Sequence, residues 1–425
     1  MTTLPPSAED LASRLKVCRT ASGMTQAQVA ERLGLSRPTV AQIEGGNRAV
    51  SSFELDRLAH LYGRDIRELL GPTFDENSAL AALFRASPEV AHDQQLAESI
   101  RDSLRVAREL TRLEGRLGIV RPEARAFSLI NPAPRSRWEA IQQGDRAAED
   151  ERQRLGLGSA PIEDVAEVLE SQGVRTAWIR LPDDVSGLTL RGRDIGLYVV
   201  VNSEHQRLRR RFSYAHEYAH ALLDQDQLGL LSRSQDRAVL REVRANSFAA
   251  SFLMPAAGVR TFMESLGKGT RDRVRAELFD EVGHVAVDEV REPGSQSVQL
   301  YDIVLLAHHF GVSRLAALYR LKNLGLLSQA ELDELKAQEE RSSGKALADA
   351  MGIREPNATE QRFEFRRRSL GLALEGLRRE LISARKMKEL GVLLGFAEGQ
   401  LDVMLKEAGL ADEDGGLVEA LVPGD

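Results

Sequence analysis

At 425 residues the chain exceeds what one hydrophobic core usually supports, so roughly two to four domains are expected; 42% hydrophobic and 28% charged residues make it ordinary globular material. A formal net charge of −7 weighs against a protein that coats nucleic acid non-specifically, while leaving room for a local reading surface. Apolar runs no longer than Leu197 to Val201 or Ala219 to Leu223, with Glu9 and Asp10 in place of an apolar signal core, predict a cytoplasmic protein with no membrane span, and the single Cys18 excludes a disulfide framework or a thiolate zinc site within one chain.

Residues 7–70 read as five short helices joined by tight turns, with apolar positions recurring at three and four residues: Leu11, Leu15; Val29, Leu33; Val40, Ile43; Leu55, Leu58, Leu61. Thr25 and Ser36 sit where helix N-caps belong, and Gly23, Gly34 and Gly45-Gly46 where helices stop. Residues 78–118 continue as a longer helical stretch, a connector or dimer element, and Asn131-Pro132-Ala133-Pro134 marks a boundary. Beyond it helices alternate with short strands. Helices are expected over 161–172, 208–223 and 234–253 and strands over 174–179 and 195–202, with Pro255 ending the last helix. Residues 300–337 and a charged tail over 359–410 read as helical again; a second helix-turn-helix at 382–410 is weighed against plain helical packing, which is preferred.

Two imidazoles one helical turn apart lie on the same face and can both reach a metal at ~2.0–2.1 Å. His216 and His220 have that spacing, and Glu217 lies close enough around the helix for its carboxylate to act as general base on a metal-held water. Phe212, Ala215, Ala219, Leu222 and Leu223 favour a buried helix over the alternative, a surface helix with two solvated histidines. The strand before it, 195–202, is expected to offer an edge for an extended peptide. A third ligand is needed. Glu242 lies 22 residues after His220 on another expected helix, with Asn246 one turn later on the same face, where it could accept a ring N–H from a ligand histidine. Taken alone, a glutamate such as Glu242 is more often a solvated charge.

The stretch RRRFSYAHEYAHALL followed by EVRANSFAASFLMP resembles the ImmA/IrrE family of intracellular metallopeptidases over roughly 135–330, the segment LAHHFGVSRLAALYRLKNLGLL included. The resemblance implies His216, His220 and Glu242 as Zn2+ ligands, Glu217 as catalytic base and Asn246 as a supporting side chain. Arg244 departs from the family, whose members often carry a second acid there. His205, Tyr198 and Tyr214 are candidates for stabilising an oxyanion, each with a structural role as the alternative.

Residues 11–70 resemble an Xre-type helix-turn-helix of the Cro/C1-like repressor fold, through LKVCRTASGMTQAQVAERLGLSRPTVAQIEGGNRAVSSFELDRLAHLYG. In that fold the helix near 37–44 enters the major groove, so Arg37, Thr39 and Gln42 are expected at base edges and Thr25, Gln26, Asn47 and Arg48 at phosphates. Acids nearly balance bases in this region, which favours a homodimer on a specific double-stranded operator; a protein-docking module is the alternative.

The expected class is α+β, mostly helical: a helix-turn-helix domain over 1–72, a helical connector over 73–130, a zincin-like metallopeptidase domain with a small sheet over 131–335 and a helical C-terminal region over 336–425. The resemblances imply a DNA-binding zinc metalloendopeptidase that cleaves a regulatory protein, such as a helix-turn-helix repressor or an antitoxin, in stress-responsive transcription control. The competing expectation is a transcription regulator whose peptidase-like domain senses a ligand or dimerises without proteolysis. A cytoplasmic protease needs restraint, so the flanking helical segments are expected to cover the strand at 195–202 until an effector or partner releases it.

Overall fold

The computed structural model describes residues 6–62, 64, 66–71, 79–87, 90, 93–122, 132–192, 194–268, 273–280, 283–290, 297–353 and 369–410. Five helices open the chain: α1 (Ala8–Ala21), α2 (Gln26–Leu33), α3 (Arg37–Glu44), α4 (Ser52–Leu61) and α5 (Ile66–Leu70). The first four begin at Ser7, Thr25, Ser36 and Ser51, whose hydroxyls accept the N–H three residues on and satisfy a donor that the helix leaves open. Gly34 makes the turn between α2 and α3 in a left-handed conformation (φ 66°), which a side chain would resist. Leu15, Val29, Val40, Ile43 and Leu58 form a core separate from the rest of the chain.

Helices α6 (Ala79–Ala86) and α7 (Gln94–Leu117) follow, then α8 (Arg137–Arg154) and α9 (Val165–Ser171). The sheet comprises β1 (Val174–Ile179), β2 (Val185–Gly192), β3 (Gly196–Asn202) and β4 (Gly229–Arg233) in the order β1-β3-β2-β4. β1 pairs with β3 in parallel, while β2 pairs antiparallel with both β3 and β4. The strand at 195–202 is therefore not the free edge expected from the sequence. Its two sides are filled by β1 and β2, and among the described residues the edge beyond β2 is β4. The long apolar run of β3 is explained by burial on both faces: Leu197, Val199 and Val201 pack towards the helices that follow, Tyr198 and Val200 towards α6 and α7. Leu83, Leu96, Ile100 and Leu104 thus complete the far side of the sheet.

Next come α10 (Arg207–Leu223), α11 (Leu240–Leu253) and α12 (Ala256–Ser265), with Pro255 at the junction of the last two. Residues 273–280 and 283–290 form an antiparallel pair outside the main sheet. Helices α13 (Leu300–Phe310), α14 (Arg314–Asn323), α15 (Gln329–Glu340) and α16 (Ser343–Ala350) follow; helical residues 369–378, α17 (Ala384–Leu393) and α18 (Glu398–Glu407) share a small core of Leu370, Leu377, Leu390 and Leu401. Residues 359–368 of the expected C-terminal tail and Asn131 of the expected boundary lie outside the described residues. The architecture is α+β and mostly helical, with a small mixed sheet between helical layers.

Candidate metal centre

One helical turn sets His216 and His220 on the same side of α10, and small residues let α11 approach it: Ala215, Ala219, Ala245 and Ala249 are all buried in one cluster. A third layer, α8, packs on α11 so tightly that a Cβ on Gly144 would stand 2.4 Å from the Arg244 carbonyl. Glu242, in the first turn of α11, consequently faces both rings. His216 Nε2 is 3.1 Å from Glu242 Oε2, His220 Nε2 is 3.3 Å from Glu242 Oε1, and the two Nε2 atoms are 3.1 Å apart. Ligand atoms around a tetrahedral ion at ~2.0–2.1 Å stand roughly 3.3 Å apart, so this donor set fits such an ion. Among the described residues, His216, His220 and Glu242 are the group of His, Cys, Asp and Glu side chains able to hold a metal.

The far nitrogens of both rings face oxygen. His216 Nδ1 lies 3.1 Å from Asn246 Oδ1, and His220 Nδ1 lies 2.8 Å from Asp224 Oδ2. With a cation at the centre, each Nδ1 would keep its proton towards these oxygens and each Nε2 would present a lone pair, the tautomer that a metal requires. Burial resists charging His220, yet the carboxylates of Asp224 and Glu242 lift its pKa to about 10. Burial likewise raises Glu242, but the two imidazoles outweigh it and hold the carboxyl well below the usual range. A pocket with this balance attracts positive charge, which a divalent cation supplies. Arg244 closes the network by donating to Asp224 Oδ1 at 2.6 Å, which orients the acid beside His220.

Glu217 is fully buried, and burial pushes its carboxyl upward against the opposing pull of His220 and His216. Thr189 on β2 donates to Glu217 Oε2 at 2.8 Å. Ser232 on β4 is close enough to act on the carboxylate but completes no hydrogen bond with it, so Ser232 Oγ and Glu217 Oε1 are both buried without a partner. Room for the carboxylate comes from Gly187, where a Cβ would meet Glu217 Cγ and Oε1, each at 2.9 Å. An unpartnered buried oxygen within the field of two imidazoles suits a base that receives a proton.

Residues 170–322 match an IrrE N-terminal-like domain and residues 10–70 a helix-turn-helix domain. The chain carries both domains. The centre described above lies within the IrrE N-terminal-like domain, while α8 and α7, which pack on it from outside the matched residues, extend the same folded unit. A relative in Cereibacter sphaeroides, the propionyl-CoA carboxylase regulator, is 26% identical over 323 residues, covering 68% of this chain and 67% of that protein.

In the helix-turn-helix domain Arg37 and Gln42 stand exposed on α3, and Asn47 is exposed just after it. The other expected DNA contacts have partners within the domain. Thr39 Oγ1 is 2.8 Å from Ser36 Oγ, Thr25 is occupied in capping α2, Gln26 donates to Glu44 at 2.9 Å, and Arg48 donates to Glu54 at 2.8 Å. Of the suggested oxyanion groups, none joins the centre: Tyr198 bonds Ser103 on the far side of the sheet, Tyr214 reaches the Ala177 carbonyl, and His205 Nε2 faces Asn202 and Asp183. Sequence reasoning passed over Asp224, although its place four residues after His220 puts it on the same helical face. Thr189, Gly187 and Ser232 gave no local signal, because only the pairing of β2 and β4 brings them to Glu217.

Proposed function

We propose that this protein is a DNA-binding zinc metalloendopeptidase acting in transcription control, which hydrolyses a peptide bond in a regulatory protein such as a helix-turn-helix repressor or an antitoxin. The observation that carries this reading is the convergence of His216, His220 and Glu242 on one point beside the unpartnered carboxylate oxygen of Glu217. The helix-turn-helix domain on the same chain supports action at a double-stranded operator, as a homodimer in the cytoplasm.

His216, His220 and Glu242 would hold a divalent ion, which would supply Lewis acidity towards a carbonyl oxygen and towards the attacking water. Glu217, held by Thr189 and screened from solvent, takes the proton of the attacking water and returns it to the leaving amine. Asn246 and Asp224 fix the two rings so that their Nε2 lone pairs stay on the centre. An extended substrate would add to β4, the strand edge that carries Ser232 towards Glu217.

A second reading, favoured by the name of the Cereibacter relative, is a transcription regulator whose IrrE N-terminal-like domain senses a ligand or dimerises without turnover. Measuring zinc in the purified protein and following cleavage of host proteins by wild type and by Glu217→Gln separates the two. Peptidase action predicts fragments that Glu217→Gln does not generate although it retains zinc, whereas His216→Ala and Glu242→Ala lose the metal. Identical fragment patterns for wild type and Glu217→Gln would instead leave the regulator.

A further inference from the structure

A groove of about 710 Å³ lies where the first turn of α10 meets the end of α13 and one side of α16, and none of the metal-centre residues lines it. Its floor is apolar, with Leu208, Val304, Phe310 and Val312. Its walls carry Arg207, Arg211 and Lys345.

Arg207 Nε is buried and meets no hydrogen-bond partner, and neither Arg207 nor Lys345 enters an ion pair among the described residues. Arg211, itself buried, directs its guanidinium at three backbone carbonyls, those of Gly311 at 2.9 Å, Glu163 at 2.5 Å and Ile162 at 2.5 Å, which bond it without neutralising it. Burial and then the neighbouring charge of Arg207 bring Arg211 down to about 10, outweighing the opposite pull of Asp164. Arg314 is matched by Glu339 at 2.7 Å, and the exposed carboxylates of Glu163 and Asp349 leave the lining positive on balance. The start of α10 adds to the deficit. Gln206 gives it no side-chain cap and its first turn contains no acid, the reverse of the charge that a helix N-terminus favours. Positive walls over an apolar floor, in a volume typical of small-molecule sites, describe the complement of one kind of ligand.

We propose that this groove binds a small amphipathic anion, its carboxylate or phosphate head against Arg207 and Lys345 and its apolar body over Leu208, Val304 and Phe310. Bound there, the ligand ties α16 to the first turn of the helix that presents His216 and His220, which is the position of an effector rather than of a substrate. The proposal stands whether or not the metal centre cleaves peptides.

Calorimetric titration of the full chain with decanoate, decyl phosphate and inorganic phosphate tests it. Saturable binding of one of the two amphiphiles is expected, weakened about tenfold by Arg207→Gln and by Lys345→Gln, with inorganic phosphate alone at least about tenfold weaker. Whichever amphiphile binds identifies the head group. Because a change at Arg207 alters the start of α10, Lys345→Gln on exposed α16 carries the test if the first variant does not fold. Absence of saturable binding by both amphiphiles, unchanged affinity in the folded variants, or inorganic phosphate binding as tightly as the amphiphiles overturns the proposal.

Discussion

Arg244 and Asp224 form a buried ion pair at 2.6 Å, and Asp224 turns its other oxygen to the His220 ring at 2.8 Å. A metal-ligand histidine held in this way loses affinity when its partner is removed, by ~10–100-fold in typical sites. Asp224→Ala is therefore expected to lower zinc affinity by about that factor in a chelator competition. Arg244→Leu is expected to destabilise the fold by about 3 kcal/mol or more, since it leaves a buried carboxylate without its cation. Unchanged zinc affinity in a folded Asp224→Ala protein would remove Asp224 from the support of the centre.

Gly187 leaves the space that Glu217 occupies. A Cβ there would also stand 2.7 Å from the Val200 carbonyl, at the end of the β2–β3 pairing, so both the sheet and the carboxylate must shift. Gly187→Ala is expected to cost about 1–3 kcal/mol in thermal unfolding and to depress turnover while zinc content stays at the wild-type level. Loss of zinc together with turnover would show that the strain reaches the ligands and not the base alone.

Arg37 is exposed at the start of α3, whereas Arg19 is held at 2.6 Å from the buried Glu44. The two arginines are expected to fail differently. Arg37→Ala keeps the domain folded and loses ~1–3 kcal/mol of discrimination at one base pair, read by competition between operator variants. Arg19→Ala destabilises the domain by about 3–5 kcal/mol, because Glu44 is left buried and short of a cation. Equal weakening on all DNA sequences for Arg37→Ala would assign that side chain to phosphates.

The helix-turn-helix domain has its own core and reaches the rest of the chain through polar contacts such as Arg32 to Glu98 at 3.1 Å and His60 to Arg105 at 2.7 Å. Removing residues 1–72 is expected to leave the IrrE N-terminal-like domain folded and, if this domain restrains the centre, to raise cleavage of the authentic substrate. An intact protein already cleaving at the rate of the truncated one would show that specificity resides in the substrate and that no restraint operates.

Local rules determined much of this protein directly from its sequence. Hydroxyl caps open α1 to α4 and glycines close α2 and α3 because both act within one helical turn, and the spacing of His216 and His220 fixes a shared face whatever surrounds it. The continuous apolar run of β3 announced a strand, but not its neighbours. β2 contains Gly187 and Gly192 and β4 spans only Gly229–Arg233, so neither shows the alternation that marks a strand locally. Helix α8 is so charged that its apolar stripe reduces to small residues such as Ala140, Gly144 and Ala148, legible only once α11 packs against them. Tertiary structure alone decided that β3 is enclosed and that β4 is an edge strand among the described residues, and that Thr189 and Gly187 serve Glu217. Sequence spacing constrains side chains within one helix, whereas contacts between elements depend on strand order and helix packing, which no local pattern encodes.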